Sequence, residues 1–78
     1  MEYNIVSILV KQPQLDASKL QNLFRDYGCI IRSRLGLNQT AVKGGIIILE
    51  LSGDSNQIDL FLEDLKTFKG IEYKFVKI

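Results

Sequence analysis

The stretch from Gly44 to Asp54, GGIIILELSGD, constrains the fold of this chain more than any other. Its central run, Ile46 to Ser52, is seven residues long and is apolar except for Glu50 and Ser52. That length and the β-branched side chains favour a strand over a helix. A strand that is apolar on both faces needs cover on both faces. The rest of the chain, and in part a second copy of it, has to supply that cover.

Composition limits what the chain can be. Its 78 residues are expected to form a single domain, residues 1–78, with a small core. The sequence contains no His, which excludes imidazole metal sites and His-based catalytic triads. Cys29 is the only cysteine, so no disulfide forms within one chain and a reducing, cytoplasmic setting is expected.

Charge and hydropathy exclude two further classes of partner. The net charge of +1 is too balanced to indicate nucleic-acid binding by this chain alone. No apolar run reaches the ~18 residues that span a bilayer, so no membrane segment is expected.

The aspartates show no spacing typical of acid–base catalysis or of a calcium loop. We therefore expect no catalytic residues, no metal site and no cofactor.

The hydrophobic pattern predicts four strands and two helices in the order βαββαβ. The strands are predicted at 3–10, 30–37, 46–52 and 71–78. Asp16 or Ser18 is the predicted cap of the first helix, and the segment 54–56 is the predicted cap of the second. Their apolar stripes consist of Leu20, Leu23, Phe24, Tyr27 and of Ile58, Phe61, Leu62, Leu65, Phe68. Right-handed crossovers then give an α+β, ferredoxin-like sandwich. Its four-stranded antiparallel sheet has two helices on one face and the strand order 4-1-3-2.

The second face of this sheet is predicted to be too apolar for water. The alternation directs one set of side chains toward the helices: Val6, Ile8, Val10, Ile47, Leu49, Leu51, Leu35, Tyr73 and Phe75. The opposite set is Tyr3, Ile5, Leu9, Ile30, Ile46, Ile48 and Val76. An apolar patch of this size is typical of an interface, although strand-rich surfaces are often apolar without one. We therefore predict a homo-oligomer, a dimer or tetramer, through Tyr3, Ile5, Ile46 and Ile48.

Few residues in the sequence are candidates for binding a ligand. Arg32 and Arg34 lie two apart, so both are predicted to leave one strand face, where they could hold a carboxylate or phosphate. Glu50 is predicted on the same face, within reach of an Arg–Glu pair. The alternative is that these are solvated edge-strand charges. Cys29 is predicted to be buried, and Gly36 is a candidate for a bulge or a close backbone approach.

One family resemblance covers almost the whole chain, from Tyr3 to Ile78. It is carried by RLG at 34–36, a polar loop, GGIIILELSGD, a helix with Ile58, Leu62 and Leu65, and KGIEYKFVKI at the end. These features resemble the small iron-only hydrogenase system regulators. Those are ACT-like domains, similar to the ligand-sensing half of nickel-responsive regulators. The resemblance implies an ACT-like fold, dimers or tetramers, and a regulatory role.

Two departures from that resemblance bear on function. Nickel-responsive relatives bind metal through His and Cys, and this chain has no His, so their nickel site is not carried over. The turn at 11–16, KQPQLD, lacks the glycine usual in amino-acid-binding ACT domains. The first hypothesis is a non-enzymatic, transcription-related regulatory domain that senses a small molecule as an oligomer. The alternatives are a protein-interaction module without a small ligand and a small enzyme using Tyr3 or Glu50.

Overall fold

The computed structural model describes residues 3–38 and 45–78. In chain order its elements are β1 (Asn4–Val10), α1 (Pro13–Asp26), β2 (Ile31–Asn38), β3 (Gly45–Leu51), α2 (Ser55–Leu65) and β4 (Ile71–Lys77). The predicted βαββαβ order and ferredoxin-like α+β class are confirmed. The polar loop between the second and third predicted strands lies, at 39–44, outside the described residues.

The four strands form one antiparallel sheet in the order β2-β3-β1-β4. This is the predicted order 4-1-3-2 read from the other edge. β1 and β3 occupy the centre, where each is paired on both sides. In the register Val6 lies between Leu49 and Phe75, so these three side chains share a face. A central position suits these two strands, the most apolar in the chain, because it fully buries Val6, Ile8 and Leu49 beneath the helices.

The core lies between the helices and one face of the sheet. Phe61 of α2 is fully buried at its centre, with its ring centroid 6.2 Å from that of Phe24 and 5.2 Å from that of Tyr27. Both predicted helix stripes contribute to this core. The buried residues are Val6, Ile8, Val10, Leu20, Phe24, Ile30, Leu49, Leu51, Ile58, Phe61, Leu65 and Ile71.

β2 departs from the predicted alternation because its register with β3 shifts between Ile31 and Ser33. Such a bulge inserts an extra residue and reverses the face of those that follow. Leu35, predicted to face the helices, instead pairs with Ile48 on the opposite face and is 55% exposed. Arg34 takes the helix-covered face, with its guanidinium carbon 5.2 Å from the ring centroid of Phe24.

Two other sequence predictions around β2 are wrong. Ile30, predicted on the uncovered face, is buried in the core because it precedes the strand in a turn, where strand alternation does not apply. Its carbonyl accepts the backbone N–H of Ser52 at 2.8 Å. Gly36 marks no bulge, since the register shift falls earlier in the strand. It marks no close approach either, because among the described residues no atom other than those of Gly36 and its two chain neighbours lies within 4 Å of the position a Cβ would take.

The helix boundaries follow local chemistry. α1 begins at Pro13, before the predicted caps at Asp16 and Ser18. Proline suits the first helical position because it needs no N–H there. The predicted cap of α2 is confirmed, since Asp54 accepts the backbone N–H of Asn56 at 3.0 Å. Neither helix is long and apolar enough to cross a membrane, as far as the described residues show.

Candidate functional site

The three residues predicted to bind a ligand do not converge. Arg34 lies over Phe24 on the helix-covered face, whereas Glu50 lies on the opposite face and accepts a hydrogen bond from the Ser33 hydroxyl at 3.2 Å. The predicted Arg–Glu pair is therefore absent from the described residues. Arg32 is exposed at the bulge. The physical reason is the bulge itself, which separates the residues that plain alternation would place together.

The face of the sheet that the helices leave uncovered, here called the open face, is a grid of three cross-strand rows. Read from β2 to β4, they are Leu37, Ile46, Leu9, Glu72; Leu35, Ile48, Ser7, Lys74; and Ser33, Glu50, Ile5, Val76. Apolar side chains form a diagonal band from the Leu37 corner to the Val76 corner, and Ser7 interrupts this band near its centre. Polar groups occupy the other two corners, with Glu50 on one side of the band and Lys74 on the other.

The predicted interface residues lie on or beside this open face. Ile5, Ile46 and Ile48 are half-buried members of the grid. Tyr3 is 44% exposed just beyond the Ile5 row, where its backbone N–H donates to the Ile78 carbonyl at 2.7 Å. Their role in assembly stays a prediction. Leu35, which changed faces at the bulge, and Leu37 enlarge the apolar surface beyond the sequence-based set.

A cleft that the sequence did not indicate lies at one end of the molecule. It has a volume of about 460 Å³ and is bounded by the β1–α1 turn, the first turns of α1 and the segment between α2 and β4. The backbone N–H of Lys11 donates to the Gly70 carbonyl at 3.0 Å and joins the two walls. The lining residues are Lys11, Gln12, Leu15, Asp16, Lys19, Thr67, Phe68, Lys69 and Gly70.

The cleft favours a negatively charged occupant. Three lysines, Lys11, Lys19 and Lys69, line it against the single carboxylate of Asp16. Lys11 also pairs with Glu72 at 3.0 Å, whereas Lys19 and Lys69 have no ion-pair partner among the described residues. The α1 N-terminus adds the positive end of the helix dipole. Gln12, its N-cap residue, supplies no side-chain hydrogen bond to the helix.

The described residues offer no cluster for metal binding: nowhere in 3–38 or 45–78 do three or more Cys, Asp or Glu side chains converge. Cys29, predicted to be buried, is exposed in the turn between α1 and β2. The turn places it outside the helix stripe and outside the strand, so neither periodicity buries it. The chain contains no His that could act as the general base for this exposed thiol.

Comparison with solved structures identifies proteins of the same fold. An uncharacterized protein from Thermotoga maritima superposes with a TM-score of 0.89 and 22% identity, over 100% of this chain and 99% of that one. A nitrogen regulatory PII-like protein from Thiomonas intermedia K12, in its apo form, gives a TM-score of 0.68 and 9% identity. That match covers 100% of this chain and 90% of the other.

A third neighbour is a formyltetrahydrofolate deformylase from Pseudomonas putida KT2440. It gives a TM-score of 0.57 at 8% identity, and the match covers 97% of this chain but 28% of the deformylase. No family model and no curated protein sequence matches the chain. At these identities the three structures show only that the fold is shared. The matched fold makes up nearly all of the Thermotoga and Thiomonas proteins and one part of the larger deformylase.

Proposed function

We propose that this chain is a non-enzymatic, ACT-like regulatory domain that senses a small organic anion and acts as a homo-oligomer in the cytoplasm. The observation that carries the proposal is the cleft with Lys11, Lys19 and Lys69 in its lining. Its volume of about 460 Å³ lies within the ~300–1,000 Å³ range of small-molecule sites. Carboxylates and phosphates are the chemical classes that such a lining selects.

Two further observations support a regulatory role. The likeness in fold to the nitrogen regulatory PII-like protein extends over 100% of this chain. The sequence motifs resemble the iron-only hydrogenase system regulators. From that resemblance we propose a link to transcription in which a partner, not this chain, contacts DNA. The lack of His and the position of Cys29 support a non-enzymatic role.

A thermal-shift screen tests the effector proposal. The panel consists of inorganic phosphate, nucleotides and small di- and tricarboxylates, with neutral sugars and polyamines as negative controls. A ligand at 100 times its Kd adds about 2.7 kcal/mol to the free energy of unfolding. In a domain of this size that corresponds to a rise in Tm of more than about 10 °C. We expect at least one anion, and none of the controls, to stabilise the protein.

Variants locate the response in the cleft. Lys19→Met and Lys69→Met each remove one cation from the lining and should reduce the stabilisation by the anion. Lys66→Met is the matched control, because Lys66 pairs with Glu63 at 3.1 Å and does not line the cleft. A panel in which no anion raises Tm, or a response unchanged in both cleft variants, would contradict the proposal. The first result would favour a protein-interaction module that uses the apolar open face.

A further inference from the structure

The open face has a diagonal pattern that fits a second copy of itself. Its apolar band runs from Leu37 on β2 to Val76 on β4. On a flat lattice with ~4.8 Å between strands and ~3.4 Å per residue, this diagonal is inclined about 45° to the strands. A two-fold axis along it stacks the two bands against each other. The strands of the two sheets then cross at about 90°, which is the orthogonal class of sheet packing.

The positions of Glu50 and Lys74 distinguish this axis from the other two in-plane two-fold axes through the centre of the grid, which run perpendicular and parallel to the strands. The same rotation places the partner's Lys74 between the points facing Ile5 and Glu50, about 2 Å from the first and about 3 Å from the second in projection. The flexible stem of the lysine lets its ammonium group reach the Glu50 carboxylate. Because of the two-fold symmetry, the Glu50–Lys74 contact occurs twice in the dimer. The rotation also brings the partner's Glu72 opposite the Ser33 corner and about 4 Å, in projection, from the point facing Glu50. The ion pair of Glu72 with Lys11 in its own chain, at 3.0 Å, offsets that negative charge. A two-fold axis perpendicular to the strands would instead place Lys74 against its own copy, and one parallel to the strands would place Lys74 against Leu35.

We propose that the open face binds a second copy of this chain about a two-fold axis along the Leu37–Val76 diagonal, with reciprocal Glu50–Lys74 ion pairs. Within the described residues neither charge has an ion-pair partner. Glu50 uses one carboxylate oxygen for the Ser33 hydroxyl and keeps the other available. The inference rests on the proposed oligomeric action and adds its geometry, and it is independent of the anion cleft.

Charge exchange tests this geometry by sedimentation velocity at low salt. Glu50→Lys and Lys74→Glu each turn two attractive pairs into two repulsive ones, and each should weaken self-association by about tenfold or more. The double variant carrying both changes should regain association. A mixture of the two single variants should form a heterodimer, because its charges are again complementary. In 1 M salt, where the Debye length is ~3 Å, the differences between variants should shrink.

Control variants distinguish a wrong dimer geometry from a loss of folding and from the absence of any oligomer. Glu63→Lys and Lys66→Glu reverse an ion pair on α2 and should leave association unchanged. Circular dichroism would show whether every variant is folded. If both single charge reversals leave self-association unchanged, the diagonal geometry is wrong although the protein is still an oligomer. The same conclusion follows if neither the double variant nor the mixture regains association. A monomeric wild type would overturn the oligomer as well, and the thermal-shift response would still report on the anion cleft.

Discussion

Tyr27 at the end of α1 is held by a hydrogen bond to the second helix. Its hydroxyl donates to Asp64 Oδ2 at 2.7 Å. This hydrogen bond to a carboxylate, together with partial desolvation and the nearby negative charges of Asp64 and Asp26, raises the pKa of Tyr27 above its ordinary value. The folded state therefore holds the phenolic proton more tightly than the unfolded chain does.

The sign of the resulting pH dependence follows. The stabilisation is fully present below the unfolded-state pKa of about 10 and is lost as pH rises through the higher folded-state pKa. Tyr27→Phe should therefore have a urea midpoint that falls less between pH 9 and 11 than that of the wild type. Tyr73→Phe is the control, since its hydroxyl makes no hydrogen bond to the described residues. Equal slopes for Tyr27→Phe and the wild type would contradict the role of this bond.

The residue scale is also where sequence reasoning failed. Arg34 and Leu35 exchanged faces because of one extra residue near Arg32. A bulge of this kind leaves no mark in an alternation of charged and apolar residues, and the glycine that did suggest one, Gly36, lies elsewhere. The predicted ligand residues were therefore placed by a rule that holds along a regular strand and fails across an irregularity.

At the scale of elements, the periodic patterns predicted the type and the order of the helices and strands. The stripe on α2 predicted which side is buried, and adjacent residues now allow a direct test. Phe61 is fully buried against two aromatic rings, whereas Leu60 is 54% exposed. Phe61→Ala should lower the free energy of unfolding by about 3–5 kcal/mol, because it leaves a cavity in a small core.

Leu60→Ala is the matched control for that substitution. As a change on the exposed side of the same helix it should alter the free energy of unfolding by no more than about 0.5 kcal/mol. Urea denaturation followed by circular dichroism measures both. Similar midpoints for Phe61→Ala and Leu60→Ala would show that the helix does not pack on the sheet as described.

At the scale of the whole molecule, the cleft was beyond the reach of sequence patterns. Its cations come from Lys11 and Lys19 near the start of the chain and from Lys69 near its end. Each is an ordinary surface lysine in its own segment. Only the antiparallel pairing of β1 with β4, which joins Val10 to Ile71, brings these segments together. Periodicity predicts elements, but it does not predict which loops the topology makes neighbours.

The apolar character of the open face, by contrast, could be predicted from the sequence. Its apolar band leads to the last prediction. Ile48 lies within the band, level with Leu35 and Ser7, and is not part of the helix-covered core. Ile48→Lys should therefore give a folded monomer, because a charge in the band disfavours burial against a second copy.

The measurement is the concentration dependence of Tm together with sedimentation velocity. Association stabilises the folded state by mass action, so the Tm of the wild type should rise with protein concentration. The Tm of Ile48→Lys should not. Leu60→Lys places the same charge on the exposed side of α2 and should behave like the wild type. If Ile48→Lys associates as strongly as Leu60→Lys, the apolar band is not the contact surface. If Ile48→Lys is monomeric but charge exchange has no effect, the band is the contact surface and pairs about a different axis.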